Sequence, residues 1–399
     1  MRQPVTKYDR QRRGCGCCLL KIAAAFAALF FLVELLLRML GTLGPEVPVR
    51  AAYTQSGNGI PPKITYERNS LGLRSANWNE AGGKDDGKVR ILVLGASAVE
   101  CAAQESRDTW YAKLQPQIDR HFVERGLEAE IGGYGRGGDK LHEIYAFADR
   151  SLEDLEPDIV VVMLGVNDML AADALRPYTA AQLLDWVERE RYLHRRVFPV
   201  EKSTAAGWTP QIVKRFRAWR AMADDGESPN PALAHLPEAR AKYLSLPVDR
   251  GIKARVGRSA PFEELFDSFL NFLTKSGARV VVVGQPVLLK AEMAEAELAA
   301  CWMPVLAPPA NSAAQPEQRR LLPADFLAEL RRFQAIQKAA ALKHGAAYIP
   351  LEERVAPTLA NFYDDAHFTD QGNDAVSLAL APDLIKVIEE WLLVKDKEE

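Results

Sequence analysis

Cysteine is scarce in this chain. There are five in 399 residues, and three of them, Cys15, Cys17 and Cys18, fall within the first twenty positions. Only Cys101 and Cys301 remain for the rest, too few for a disulfide-built scaffold, so the fold must rest on a hydrophobic core. Charge of one sign is also missing: 50 Lys and Arg face 53 Asp and Glu, a formal net charge of -3. Nothing in that balance suggests a nucleic-acid-binding surface. Histidine is rare, and His121, His142, His194, His235 and His344 have no partners at metal-ligating spacing. The glycine-dense run from Gly132 to Gly138 lacks the Gly-Lys-Ser/Thr ending of a phosphate loop. No internal repeat is visible. The chain is therefore expected to use no metal, nucleotide or other cofactor.

What is present begins with a long apolar stretch. Arg2, Lys7, Arg10, Arg12, Arg13 and Lys21 precede a run from Ile22 to Val33, and Leu35–Leu37, Met39 and Leu40 continue it past Glu34. Residues 19–40 approach the ~20 residues that a membrane-spanning helix needs. The basic flank places residues 1–18 in the cytoplasm and the body of the protein outside it. A cleaved signal peptide is the alternative, but the span is long and no small-x-small cleavage site follows it. Residues 41–64 are rich in Gly and Pro and read as a linker. In an oxidising compartment Cys101 and Cys301 form an even pair and are a candidate disulfide.

From residue 65 to about 395 the pattern alternates. Val89–Leu94, 127–131, 157–164, 277–283 and 346–351 are short apolar runs suited to strands buried on both faces. Helical patterns lie between them: Trp110, Leu114, Ile118 and Phe122 recur every fourth residue, and 141–155, 326–344 and 374–393 are further examples. Residues 171–275 break the rhythm and read as a mostly helical insertion or cap. Its Trp186, Tyr192, Trp208 and Trp219 can stack on sugars or pack the insertion itself. The expected fold is α/β, with three layers α/β/α around a mostly parallel five-stranded sheet.

Polar residues sit where these strands end. Ser97 follows Gly95, Gly138 closes the glycine run, Asn167 follows the 157–164 strand, and Asp364 and His367 precede the final helix. In open α/β sheets, ligands collect beyond the carboxyl ends of the strands. A serine hydroxyl becomes a nucleophile when a base takes its proton, and His367 has a suitable pKa. Asp364 can hold the imidazole in the right tautomer. The Ser97 and Gly138 N–H groups and the Asn167 amide can form an oxyanion hole. Each residue also has a plainer reading: Ser97 a helix N-cap, Asn167 a turn residue, His367 a surface histidine. Gly135 and Gly137 compete with Gly138, and Asp365 competes with Asp364.

Taken together, Gly-x-Ser97, the glycine loop, Gly-x-Asn167-Asp and Asp364-x-x-His367 resemble the SGNH (GDSL-type) hydrolases. The resemblance implies a flavodoxin-like sheet and a serine esterase, with Ser97 as nucleophile, His367 as base, Asp364 as its orienter, and Ser97, Gly138 and Asn167 as the oxyanion hole. Asn69-Ser-Leu-Gly-Leu-Arg74, ahead of the first strand, is similar to membrane-anchored bacterial members. The family's usual Asp before the serine is Ala96 here. The resemblance implies an ester-bearing substrate, and the membrane anchor points to an envelope polysaccharide or lipid. An O-acyltransferase using the same residues and a non-catalytic envelope scaffold are the alternatives.

Overall fold

Alternate residues of the stretch Lys88–Gly95 enter two different cores, which is why the run is apolar throughout. Val89, Ile91 and Val93 join one cluster, and Leu92 and Leu94 the other. The computed structural model describes residues 49–54, 63–69, 71–75, 78, 87–175, 178–196, 236–255, 257–307 and 317–398. In chain order its strands are β1 (Val49–Thr54), β2 (Lys63–Arg68), β3 (Lys88–Gly95), β4 (Glu128–Tyr134), β5 (Ile159–Met163), β6 (Arg279–Val283), β7 (Val305–Ala307), β8 (Glu317–Arg319) and β9 (Ala347–Ile349). Its helices are α1 (Ser97–Glu100), α2 (Trp110–Phe122), α3 (Leu141–Leu155), α4 (Val166–Leu175), α5 (Ala180–Arg196), α6 (Leu236–Ser245), α7 (Ala260–Lys275), α8 (Glu295–Ala300), α9 (Pro323–Lys343) and α10 (Asp370–Glu398).

The central sheet has five strands in the order β4-β3-β5-β6-β9, and every neighbouring pair is parallel. In chain order that is second, first, third, fourth, fifth, the flavodoxin-like doubly wound arrangement. The sheet expected as mostly parallel is therefore wholly so, and its five strands are the five apolar runs of the sequence. Register alternates as the pleat requires: Ile91 stands opposite Ile131 and Ile159, and Leu92 opposite Gly132 and Val160. One face packs on α2 and α10 through Trp110, Leu114, Ile118, Phe122, Val376, Leu380, Leu384 and Ile388. The other packs on α3, α7 and α9 through Ile144, Phe147, Phe266, Phe269, Leu330 and Phe333. Fully burying each such side chain contributes about 1.5–3 kcal/mol.

Two boundaries differ from the sequence reading. Within the expected 41–64 linker, residues 49–54 form a strand, β1, that pairs antiparallel with β2, Val49 opposite Arg68. The glycines and prolines on either side mask so short a run. The expected 171–275 insertion ends earlier than 275, because α7 belongs to the fold itself. Its Phe262, Phe266, Phe269 and Leu273 line the core beneath the sheet. A crossover helix between parallel β5 and β6 is required there. Finally, the membrane span expected over 19–40 lies outside the described residues, and no described helix is long and apolar enough to cross a membrane.

Candidate active site

All five strands point their carboxyl ends to one edge of the sheet, and four of the loops leaving that edge carry the residues singled out above. After β3 the chain makes a tight turn into α1. Ser97 is the first residue of α1, and Ala96 occupies the N-cap position with no side-chain capping bond. The N-cap reading of Ser97 is thereby removed. The Ala96 carbonyl accepts from Val99 N–H and Glu100 N–H, so the turn closes without the serine hydroxyl. The turn ends at Cys101, a non-glycine residue in the left-handed region, φ +48°. Such conformations cost about 1–3 kcal/mol and cluster at functional sites.

The glycines after β4 divide into different jobs. A Cβ on Gly135 would stand 2.4 Å from the Ala96 carbonyl oxygen and 2.5 Å from the Glu100 nitrogen, so Gly135 lets the β4 end pack on the serine turn. Gly138 is different: its φ is +83° and a Cβ there would meet nothing within 4 Å. The Asn167 side-chain amide donates to the carbonyl of Asp139, the residue after Gly138, at 2.9 Å. The second proton of that amide and the Gly138 N–H carry no bond among the described residues. Asp168 fixes the same corner by accepting from the Leu141 N–H at 2.9 Å. Burial pushes the Asp168 carboxyl up to about 7, and burial with the Glu143 charge does the same for Asp139.

The loop before α10 builds the other half. Asp364 is fully buried. One of its oxygens accepts from the N–H groups of Ala366 and His367 at 3.0 and 2.9 Å, and the other lies 2.7 Å from His367 Nδ1. Trp302 Nε1–H donates to that second oxygen at 2.7 Å. Burial alone would raise the Asp364 pKa, but the His367 charge and these donors outweigh it and hold the carboxyl below its ordinary value. Burial opposes protonation of His367 as well, yet the Asp364 charge and hydrogen bond prevail and raise its pKa above the usual value. The rings of Tyr363 and Trp302 lie nearly parallel to the imidazole, with centroids at 5.6 and 6.4 Å. Asp365, the competitor of Asp364, faces elsewhere and accepts from the backbone N–H groups of Trp302 and Met303.

The two halves meet at one edge. Gln104 Nε2 donates to the Phe368 carbonyl at 2.7 Å, and the Glu100 charge is felt at His367. Ser97 Oγ forms no hydrogen bond among the described residues, His367 included; catalytic hydrogen bonds commonly tighten only when substrate is bound. No sequence motif singles out Trp302. Its role depends on an indole nitrogen meeting a carboxylate 62 positions away, and no local spacing signals that.

The candidate disulfide is absent. Cys101 and Cys301 are both buried free thiols. Cys101 Sγ lies against the Ala98 carbonyl and Cys301 Sγ against the Glu297 carbonyl, each turned into its own helix end. Burial pushes the Cys101 thiol up to about 12, and burial with the Asp365 and Asp364 charges raises that of Cys301 as well, so neither is a ready thiolate. Of the aromatic residues weighed for sugar stacking, Trp186 packs edge-on against His142 at 4.9 Å. Trp208 and Trp219, and the Tyr192 side chain, lie outside the description. Among the described residues, no three His, Cys, Asp or Glu side chains form a metal-binding group. A cavity of about 660 Å³, lined among others by Gln285, Lys290, Arg331, Lys338, Tyr348 and Glu352, includes none of Ser97, Gly138, Asn167, Asp364 and His367.

No known family model and no curated protein sequence matches the chain. Solved structures do resemble it at a distance. An α/β hydrolase, LAE5, from the metagenome of Lake Arreo, Spain, is 12% identical over 73% of this chain and 94% of its own, with a TM-score of 0.38. TesA is 13% identical over 74% and 97%, with a TM-score of 0.36. A carbohydrate acetylesterase family member from Sinorhizobium meliloti is 14% identical over 76% and 99%, with a TM-score of 0.34. Likenesses this distant carry no chemistry over to the chain, whose own geometry must supply the argument.

Proposed function

We propose that the protein is a serine ester hydrolase of the SGNH type that works through an acyl-enzyme on Ser97. The observation that carries this reading is the buried Asp364–His367 pair, 2.7 Å apart, on the sheet edge where Ser97 leads α1 with its hydroxyl unengaged. Asp364 holds the proton on Nδ1 and so leaves Nε2 as the base. Ser97 Oγ attacks the ester carbonyl carbon while His367 Nε2 takes the hydroxyl proton. The oxyanion that forms is met by the Ser97 and Gly138 N–H groups and the Asn167 amide, each such donor being worth about 2.7–4 kcal/mol. Collapse breaks the carbon–alkoxide bond, and His367 returns its proton to the departing alcohol. Water then attacks the acyl-enzyme, giving its proton to His367. Collapse of the second intermediate breaks the bond to Oγ, the proton returns to Ser97, and a carboxylic acid leaves.

Ala96 does not weaken this reading. The turn is closed by the Ala96 carbonyl, and the missing family carboxylate has no part in the steps above. The membrane anchor over 19–40, the extracytoplasmic placement of the domain, and an envelope polysaccharide or lipid ester as substrate belong to the same proposal and rest on sequence pattern alone. The test is exposure of the full chain and its Ser97→Ala variant to a fluorophosphonate probe and a short-chain aryl acetate. Labelling and turnover present in the native protein and lost in Ser97→Ala support the reading. A native protein that neither labels nor turns over overturns it and favours the scaffold. Acyl transfer to an added sugar hydroxyl in competition with water would identify an acyltransferase.

A further inference from the structure

The turn that carries Ser97 is gripped by a segment from outside the central sheet. Residues 66–69 and 71–74 approach it from β2, and Tyr66, Arg68, Asn69 and Arg74 each have a mechanical task. Asn69 Oδ1 accepts from the Leu71 and Leu73 N–H groups at 3.1 and 2.8 Å, folding a tight loop that turns at Gly72, φ +78°. The loop delivers Arg74 to the end of β4, where its backbone pairs with Gly133 in both directions. The Arg74 side chain then reaches back and is 1% exposed. Nη1 donates to the carbonyls of Glu100 and Cys101, and Nη2 to that of Gln104 at 2.6 Å. The Tyr66 ring lies under the guanidinium at 4.5 Å. Arg68 completes the grip, donating to the Gly135 carbonyl and pairing with Glu100 at 3.1 Å.

These acceptors are not arbitrary. Glu100 and Cys101 close the turn begun by Ser97, and Cys101 is the residue in the left-handed conformation. Gln104 is the residue bonded to the base loop through Phe368. Gly135 belongs to the segment leading to Gly138. A planar, permanently charged fork can hold several carbonyls in fixed relation, which a lysine cannot do.

The geometry points to Arg74 as a positioning residue: through three carbonyls it holds the strained turn that aims Ser97 at the base. The inference rests on the esterase reading and extends it to a segment outside the catalytic motifs. Its task is orientation, and a displacement of about 1 Å can cost about 10²-fold in rate.

The test compares native protein, Arg74→Ala and Arg74→Lys in the full chain, with folding checked by circular dichroism. The readouts are the fluorophosphonate labelling rate, kcat and KM for an aryl acetate, and the pH profile of kcat/KM. Both folded variants should lose about 10²-fold in kcat and labelling rate, with KM changed by less than about threefold. The profile should keep its midpoint, because the His367–Asp364 pair is untouched. Added guanidinium ion should recover part of the labelling in Arg74→Ala and none in Arg74→Lys. Native-like rates in either folded variant would overturn the inference, as would a shifted midpoint or, in Arg74→Ala, a loss that guanidinium does not relieve. If neither variant folds, Arg74 is a folding element and the inference fails. Native protein that does not label at all refutes the esterase reading itself, a result distinct from every one of these.

Discussion

The nucleophile turn and the base loop sit at the same sheet edge but are held by opposite means. The base loop organises itself. Asp364 binds the N–H groups of residues two and three positions on, then the imidazole of His367, all within four residues. The nucleophile turn closes on backbone bonds of its own but is held in place from outside. Ser97 caps nothing, the turn ends in an unfavourable backbone conformation, and its carbonyls are bound by an arginine 26 to 30 positions earlier in the chain. The lesson is that a base and its orienter can be specified by local spacing, while the aim of a nucleophile is specified by packing. The two regions should therefore respond differently to substitution.

The largest effect is expected at the nucleophile. Ser97→Ala should remove labelling and lower kcat by about 10⁶-fold, because the acyl-enzyme cannot form and only binding and the oxyanion donors remain. Next comes the base loop. Asp364→Asn should lower kcat by about 10⁴-fold, the scale expected when the imidazole loses its tautomer. Labelling rate and aryl acetate hydrolysis measure both. Equal, small losses at the two sites would end the distinction between them.

The pH profile sharpens the comparison on the base side. His367 must lose its proton to act, so kcat/KM should rise with pH to a plateau, with a midpoint above the ordinary ~6.5 of histidine. The same pair links to stability. The raised His367 pKa contributes stability that is full below the ordinary histidine value and is lost as pH rises through the folded one. The lowered Asp364 pKa contributes stability that is present above the ordinary carboxylate value and is lost as pH falls through the folded one. Thermal unfolding across pH should show both arms, and Asp364→Asn should flatten them.

Trp302→Phe should have a smaller effect, about tenfold in kcat, because it removes one donor to a buried carboxylate and keeps a ring beside the imidazole. Asp364 then becomes more basic, so the midpoint of the pH profile should move up. An unchanged midpoint would show that the indole only fills space. This residue also marks the limit of what was legible in the sequence. The five strands could be read because a strand buried on both faces is an apolar run. Asp364 and His367 could be paired because their spacing is local. The three-carbonyl grip of Arg74 and the bond of Trp302 could not, since each joins positions that only the fold brings together. The α7 boundary was missed for the same reason: a phenylalanine stripe looks alike in an insertion and in a crossover helix.

The smallest expected effect is the most direct test of how the two regions are joined. Cys101 belongs to the nucleophile turn, and Cys301 immediately precedes Trp302, which touches the base loop. A bond between them would tie the regions covalently, and a bridge closing so long a loop would be worth several kcal/mol. In the structure both thiols are free, and the regions are connected by hydrogen bonds such as that from Gln104 to Phe368. A reductant should accordingly leave the melting temperature and the labelling rate unchanged, and alkylation after unfolding without reductant should modify both residues. A clear fall in melting temperature on reduction would mean that the regions are stapled. The nucleophile turn would then have a covalent support, and Arg74 would matter less to the aim of Ser97 than the free thiols imply.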